Sequence, residues 1–177
     1  MTSTFLSTII ALITMLQQEN IYDFEVQPIS GGSAVSLSTF SGKRVIITII
    51  SPLNPDTTTL AFLDSLQQSD TELQIIAVPA ADLGDLGNDQ DIAVLTNARS
   101  TGFIITKSAM VSKSTGTDQM PLFKWLTNVS QNRHFDIDAT AQGQYFIVSK
   151  AGTLYSVLPA NVPANILIRT LNEVITP

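Results

Sequence analysis

The spacing of apolar positions changes several times along the chain, and each change marks an element. Val45, Ile46, Ile47, Ile49 and Ile50 form a β-branched run broken only by Thr48, the pattern of a central strand covered on both faces. The run stops at Ser51-Pro52, and Asn54-Pro55 completes a tight turn. Asp56, before Thr57-Thr58-Thr59, is suited to cap a helix, and Leu60, Leu63 and Leu66 then supply its apolar face as far as Gln68. Leu73–Val78 reads as a second buried strand, stopped by Pro79. Strand, helix and strand in this order imply a right-handed crossover between parallel neighbours, so the fold class is α/β.

Upstream, Ile21–Val26 and Ala34–Leu37 alternate apolar and polar residues on either side of Ser30-Gly31-Gly32-Ser33, which predicts a hairpin. Downstream, Ala80–Asp91 reads as a Gly- and Asp-rich loop, Ile92–Ala98 as a short helix and Phe103–Thr106 as a short strand. Lys107–Gln119 is a long polar segment, long enough for either a functional loop or a simply mobile one. Pro121 suits the first turn of a helix with Leu122, Trp125, Leu126 and Val129 on one face, and Phe123 and Phe135 are expected to pack in or near the core with Trp125. Ser130–Gln142 is irregular. Gln144–Val148 and Thr153–Leu158 flank Lys150-Ala151-Gly152 as an antiparallel hairpin, and Pro163 opens a last helix with Ile166, Leu167, Thr170, Leu171 and Val174 inward. This order describes a thioredoxin-like sheet, a parallel βαβ half joined to an antiparallel hairpin half, flanked by helices and carrying an extra N-terminal hairpin.

Composition narrows the function classes. A chain of 177 residues needs only one core, and residues 21–177 are expected to form a single domain. With 44% hydrophobic and 14% charged residues, an ordered protein is expected. The net charge of −6 repels phosphate backbones, and Lys43-Arg44 is the only adjacent pair among nine scattered Lys and Arg, so nucleic-acid binding is not expected. There is no cysteine, which removes disulfides, thiolate metal sites and thiol catalysis from this chain and leaves its compartment open.

Residues 1–20 form an apolar leader whose core, Phe5–Leu16, is shorter than the about 20 residues of a membrane-spanning helix. It has the look of a secretory signal, yet no Lys or Arg precedes Lys43 and no small-residue cleavage pattern precedes Gln17. A degenerate signal, a helix docked on the domain and a membrane-surface segment all fit it. Location therefore stays open between cytoplasmic and exported (periplasmic), and membrane contact is expected only through this leader.

Four segments in order resemble the glutathione peroxidase family, over Ile21 to about Ile175. IYDFEV with its Gly-containing turn and VSLSTFSGKRVIITI resemble the family's opening hairpin and first central strand, followed as there by a Ser. IIAVPAADLGD at Ile75–Asp85 is similar to the strand ending in Phe-Pro-Cys-Asn-Gln-Phe-Gly. MPLFKWL at Met120–Leu126 resembles His-Pro-Leu-Tyr-Lys-Trp-Leu, and YFIVSKAGTLY at Tyr145–Tyr155 resembles the late hairpin around Asp-Arg-Glu-Gly. The resemblance implies a thioredoxin-like fold of glutathione-peroxidase type. It also implies a degenerate site. The reactive Cys or selenocysteine falls on Leu53, or on Asn54 if the turn carries an insertion; the Gln falls on Asp82, and the Trp-Asn pair falls near Ala141 and Gln142. The Pro beside the active site falls near Phe103. Peroxide reduction by this route needs an ionised thiol or selenol, which neither Leu53 nor Asn54 supplies, and Asp82 brings charge of the wrong sign for a developing anion.

Other constellations are weaker. Asp82, Asp85, Asp89 and Asp91 with Asn88 lack the Glu of a calcium loop, and His134 in HFDID with Asp136 and Asp138 lacks a third ligand at set spacing; a solvated loop and a surface histidine are expected instead of metal sites. A Ser51–His134–Asp triad has no nucleophile-elbow glycines to support it. The expectation is a catalytically inactive glutathione-peroxidase-like protein that binds an unknown protein or small molecule, with no cofactor or metal. Two alternatives stay open: a family oxidoreductase of the oxidative-stress response using an unrecognised nucleophile or borrowed thiol, and an exported or envelope-associated structural protein.

Overall fold

A computed structural model describes residues 19–84 and 102–173. Seven strands are present among them: β1 (Glu25–Val26), β2 (Val35–Ser36), β3 (Arg44–Ile50), β4 (Leu73–Pro79), β5 (Ile104–Ile105), β6 (Tyr145–Val148) and β7 (Leu154–Leu158). Four α-helical segments accompany them: α1 (Thr57–Ser69), α2 (Pro121–Thr127), α3 (Val129–Asn132) and α4 (Ala164–Glu173). Five strands make one mixed sheet in the order β5-β4-β3-β6-β7, and β1 and β2 pair separately as an antiparallel hairpin.

The β-branched run is the centre of that sheet. Every residue of β3 and β4 is buried, and the two strands pair in parallel from Arg44 opposite Leu73 to Ile50 opposite Pro79. On its other side β3 pairs antiparallel with β6, Val45 opposite Val148 and Thr48 opposite Tyr145. Alternation along β3 serves two cores. Val45, Ile47 and Ile49 face a core with Phe123, Trp125 and Phe146, while Ile46 and Ile50 face one with Leu60, Leu63, Leu167 and Leu171. Helices α1 and α4 thus cover one face of the sheet, and α2 with the N-terminal hairpin covers the other. This is why neither strand reads as half polar.

Arg44, at the start of β3, is buried and ties the first face together. Its guanidinium donates to the Leu171 carbonyl of α4 at 2.7 Å and pairs with Asp70, just past the end of α1, at 2.5 Å. Gln67 makes a similar tie beside it, donating to the Leu73 carbonyl and accepting from the Ile75 N–H at 2.6 Å.

Several local expectations are corrected. Ile21–Asp23 is a 3-10 turn rather than strand, because Asn20 and Asp23 form a capping box around it and the Ile21 N–H donates to Gly152 across the molecule. Leu37–Phe40 is likewise a 3-10 turn, so each hairpin strand shrinks to two residues. Val129 does not extend the apolar face of α2: the helix ends at Thr127, a new turn starts at Val129, and that side chain is 45% exposed. Asn132 makes this break, donating to the carbonyls of Trp125, Leu126 and Phe135 and accepting from the His134 and Phe135 N–H groups. The polar Lys107–Gln119 segment, open to either reading from the sequence, buries Val111, Ser112 and Gln119 and forms a 3-10 turn over Lys113–Asp118. Trp125 and Phe123 are fully buried in the core, as expected, and the Trp125 indole N–H reaches the Glu19 carbonyl at 3.0 Å. The leader to residue 18, the short helix expected at Ile92–Ala98 and the inward Val174 lie outside the described residues.

Candidate functional site

The carboxyl end of β3 gathers three chain segments. The Ile50 carbonyl accepts from the Ala80 N–H at the end of β4, and the Ile49 carbonyl accepts from the Gly143 N–H just before β6. Between them the chain leaves the sheet through Ser51-Pro52-Leu53-Asn54-Pro55 and enters α1. The Ser51 hydroxyl is buried and accepts the N–H groups of Leu53 at 3.2 Å and Asn54 at 2.9 Å, which closes the turn.

Asp56 caps α1. Its carboxylate accepts from the Thr58 N–H at 2.9 Å and from the Thr59 hydroxyl at 2.6 Å. The Thr59 hydroxyl and then the Thr58 N–H hold its carboxyl below the usual range. An anion favoured by the free N–H groups and dipole of a helix start is therefore already present, supplied by the chain itself.

Beside this turn lies a cleft of about 240 Å³. Ser51, Asn54, Asp56 and Thr59, from the turn and the start of α1, line it together with Gln142, Gly143, Tyr145 and Asn161. Ile49, Ile50, Leu60 and Val162 complete the lining with apolar side chains. Tyr145 is buried, and burial followed by the charge of Asp56 raises its phenol above the usual value, so it is protonated at neutral pH. A second hollow of about 290 Å³ shares Thr59, Tyr145 and Val162 with the first and continues over Phe62, Ala164 and Leu167.

Of the five positions singled out from the sequence, two line the cleft, Asn54 and Gln142, and Gln142 also donates to the carbonyl of Leu83, next to Asp82, at 3.4 Å. Leu53 sits on the outside of the turn, 45% exposed. Asp82 instead anchors the segment after β5, its carboxylate accepting from the N–H groups of Val111 at 2.9 Å and Ser112 at 2.8 Å and from the Ser112 hydroxyl at 2.6 Å. Burial pushes its carboxyl up, but these donors outweigh burial and hold it below the usual range. Ala141 faces a separate hollow with Ile137, Val157 and Pro159. Phe103 precedes the edge strand β5, two strands from β3, and packs in the core beneath α1. The residue that precedes the antiparallel strand beside β3 is Gln144, not Phe103.

Gln144 and Tyr145 were not legible as site residues. Gln144 is buried, accepts from the Thr140 N–H at 3.0 Å, donates to the Asp138 carbonyl at 2.9 Å, and so shapes the loop whose Gln142 and Gly143 line the cleft. The only sequence signal for either was a polar residue and a tyrosine at the start of an apolar strand.

The HFDID carboxylates are likewise engaged. Asp136 pairs with Lys113 at 2.5 Å, Asp138 accepts the Lys113 and Ala139 N–H groups, and His134 is exposed. Among the described residues no three His, Asp or Glu side chains come together. Of the acidic loop, Asp85, Asn88, Asp89 and Asp91 lie outside them.

Comparison with solved structures gives extensive likeness. The chain is similar to Trgpx in apo form, at 17% identity and a TM-score of 0.70 over 91% of this chain and 98% of that one. It is similar to T. cruzi GPX1 at 14% identity and a TM-score of 0.66, over 88% and 96% of the two chains. A thiol:disulfide interchange protein of the thioredoxin family from Chlorobium tepidum TLS matches at 10% identity and a TM-score of 0.62, over 89% and 97%. No family model and no curated protein matches the sequence. The sheet order, the crossover through α1 and the covering helices, together with these structural neighbours, establish that this cysteine-free chain has a thioredoxin-like fold of the kind seen in glutathione-peroxidase-like structures.

Proposed function

We propose that this chain is a thioredoxin-fold binding module that performs no thiol-dependent peroxide chemistry and holds a small partner in the cleft at the carboxyl end of β3. The observation that carries this reading is the start of α1, where the Asp56 carboxylate takes the N–H and hydroxyl donors that would otherwise favour an anionic nucleophile. The adjoining turn reads Ser51-Pro52-Leu53-Asn54-Pro55 and the chain has no cysteine, so no residue there ionises to a thiolate. The cleft is nevertheless open, and its lining combines apolar side chains with a few polar groups, as ligand sites do.

The test is turnover of hydrogen peroxide and an organic hydroperoxide, with glutathione and with thioredoxin as reductants. Wild-type protein is expected to match a heat-denatured control. Leu53→Cys and Asn54→Cys should gain little, because Asp56 already fills the helix start with negative charge. Steady wild-type turnover above the control, surviving chelation of trace metal, overturns the reading.

A further inference from the structure

The two edges of the five-stranded sheet are treated differently by the fold. At β5 the chain covers its own edge. Residues 27–29 run antiparallel beside it, with Pro28 opposite Thr106, the Ile29 N–H donating to the Ile105 carbonyl at 2.9 Å and the Lys107 N–H to the Gln27 carbonyl at 2.8 Å. At β7 the outer edge pairs with no described strand. An uncovered edge offers a row of backbone donors and acceptors whose complement is another extended strand.

Open edges are commonly guarded by charged side chains, and this one is not. No Lys, Arg, Asp or Glu occurs between Lys150 and Arg169, although the chain as a whole carries a net charge of −6. Two copies therefore repel one another overall, and their approach is least opposed where the facing residues carry no charge. Tyr155, in the middle of this stretch, is 42% exposed and is the extra residue of a bulge, since Leu154 pairs with Val148 and Ser156 with Ile147. Val157 lines a hollow of about 440 Å³ with Ile137, Pro159 and Ala160, and Ile137 is itself 41% exposed.

The strand is complementary to itself. In an antiparallel pair centred on Ser156, Tyr155 of each copy stands opposite Val157 of the other, a residue that lines the hollow, and Leu154 stands opposite Leu158. Each apolar residue then meets an apolar one, as a two-fold interface requires. We propose that β7 is the interface of a weak two-fold dimer, in which a second copy of this chain adds its own β7 antiparallel and the two sheets become continuous. The bulge and Pro159 confine the pairing to Leu154–Leu158, which puts the contact at the small, transient end of specific interfaces.

The test is sedimentation equilibrium of the full chain at neutral pH from about 10 µM to about 1 mM, with the amide NMR signals of Leu154–Leu158 followed over the same range. Reversible dimerisation with concentration-dependent shifts of those signals is expected. Tyr155→Ala, at an exposed position, should weaken association about tenfold. Ser156→Lys and Ser156→Glu each set like charges opposite one another across the two-fold and should each abolish self-association, whereas mixing the two restores it. Circular dichroism checks that both keep the wild-type fold, and if either does not, Tyr155→Ala carries the test alone. A synthetic peptide of the Gly152–Pro159 sequence should compete with the dimer, and a scrambled peptide should not. The proposal is overturned by a chain that stays monomeric across the range, or by a dimer that these substitutions leave unchanged. It is also overturned by a scrambled peptide binding β7 as tightly as the chain's own sequence, which assigns the edge to extended segments of other proteins.

Discussion

Replacing Asp56 by Ala isolates the energetic role of the group that closes the start of α1. The structure shows two bonds lost, from the Thr58 N–H and the Thr59 hydroxyl. Both donors are near the surface, so water replaces the carboxylate and no full desolvation penalty arises. The expected loss is about 1 kcal/mol, the usual value for an N-cap removed in this way. For a domain of this size that corresponds to a fall of about 2–4 °C in Tm, measured by calorimetry or circular dichroism. Asp56→Asn should fall between wild type and Asp56→Ala, because the amide still caps while the charge–dipole part, about 0.3–1 kcal/mol, is lost. The pH dependence follows from the lowered folded pKa. Stability from the ionised carboxylate is full above the unfolded value near 3.8 and is lost as pH falls through the lower folded value. The gap between wild type and Asp56→Asn should be constant near neutrality and close on acidification below 3.8. A Tm of Asp56→Ala within about 0.5 °C of wild type would refute the capping argument, and a gap that persists unchanged in strong acid would refute its electrostatic part.

Asp82→Ala should cost about 2 kcal/mol in denaturant unfolding, because it strands the N–H groups of buried Val111 and Ser112. The contribution of Asp82 is present above the usual carboxylate value and lost as pH falls through its lower folded value, so acid should bring Asp82→Asn and wild type together. Gly152→Ala should be more damaging than a surface substitution, about 2–3 kcal/mol, since φ is +84° and the added Cβ would lie 2.8 Å from the Tyr22 ring, whose hydroxyl donates to the Lys150 carbonyl; a neutral result would show that the N-terminal turn is not held against the β6–β7 hairpin. Phe123→Ala, which removes one ring of an edge-to-face pair with Phe146 at 5.7 Å in a fully buried site, should cost about 3–5 kcal/mol by thermal or denaturant unfolding.

The sequence by itself determined the class and the centre of the sheet. A β-branched run with no polar face can be stable only between two covering layers, and a strand–helix–strand order leaves one handed way to place the second strand beside it. The absence of cysteine also decided, without coordinates, that no thiol reaction starts within this chain. The capping role of Asp56 was legible because it is local, resting on a side chain and donors two and three residues away.

What depends on distant segments was decided only by the tertiary structure. The hairpin strands shortened because Ile21 finds its hydrogen-bond partner at Gly152 rather than in a longer ladder. Asp82 finds its partners some thirty residues on, at Val111 and Ser112, whose donors offset its desolvation. Asn54, Gln142 and Tyr145 share one cleft because β3 pairs antiparallel with β6, which brings the start of a late strand to the exit of an early one. No local periodicity encodes that pairing, and the cleft exists only once the two ends of the strands meet.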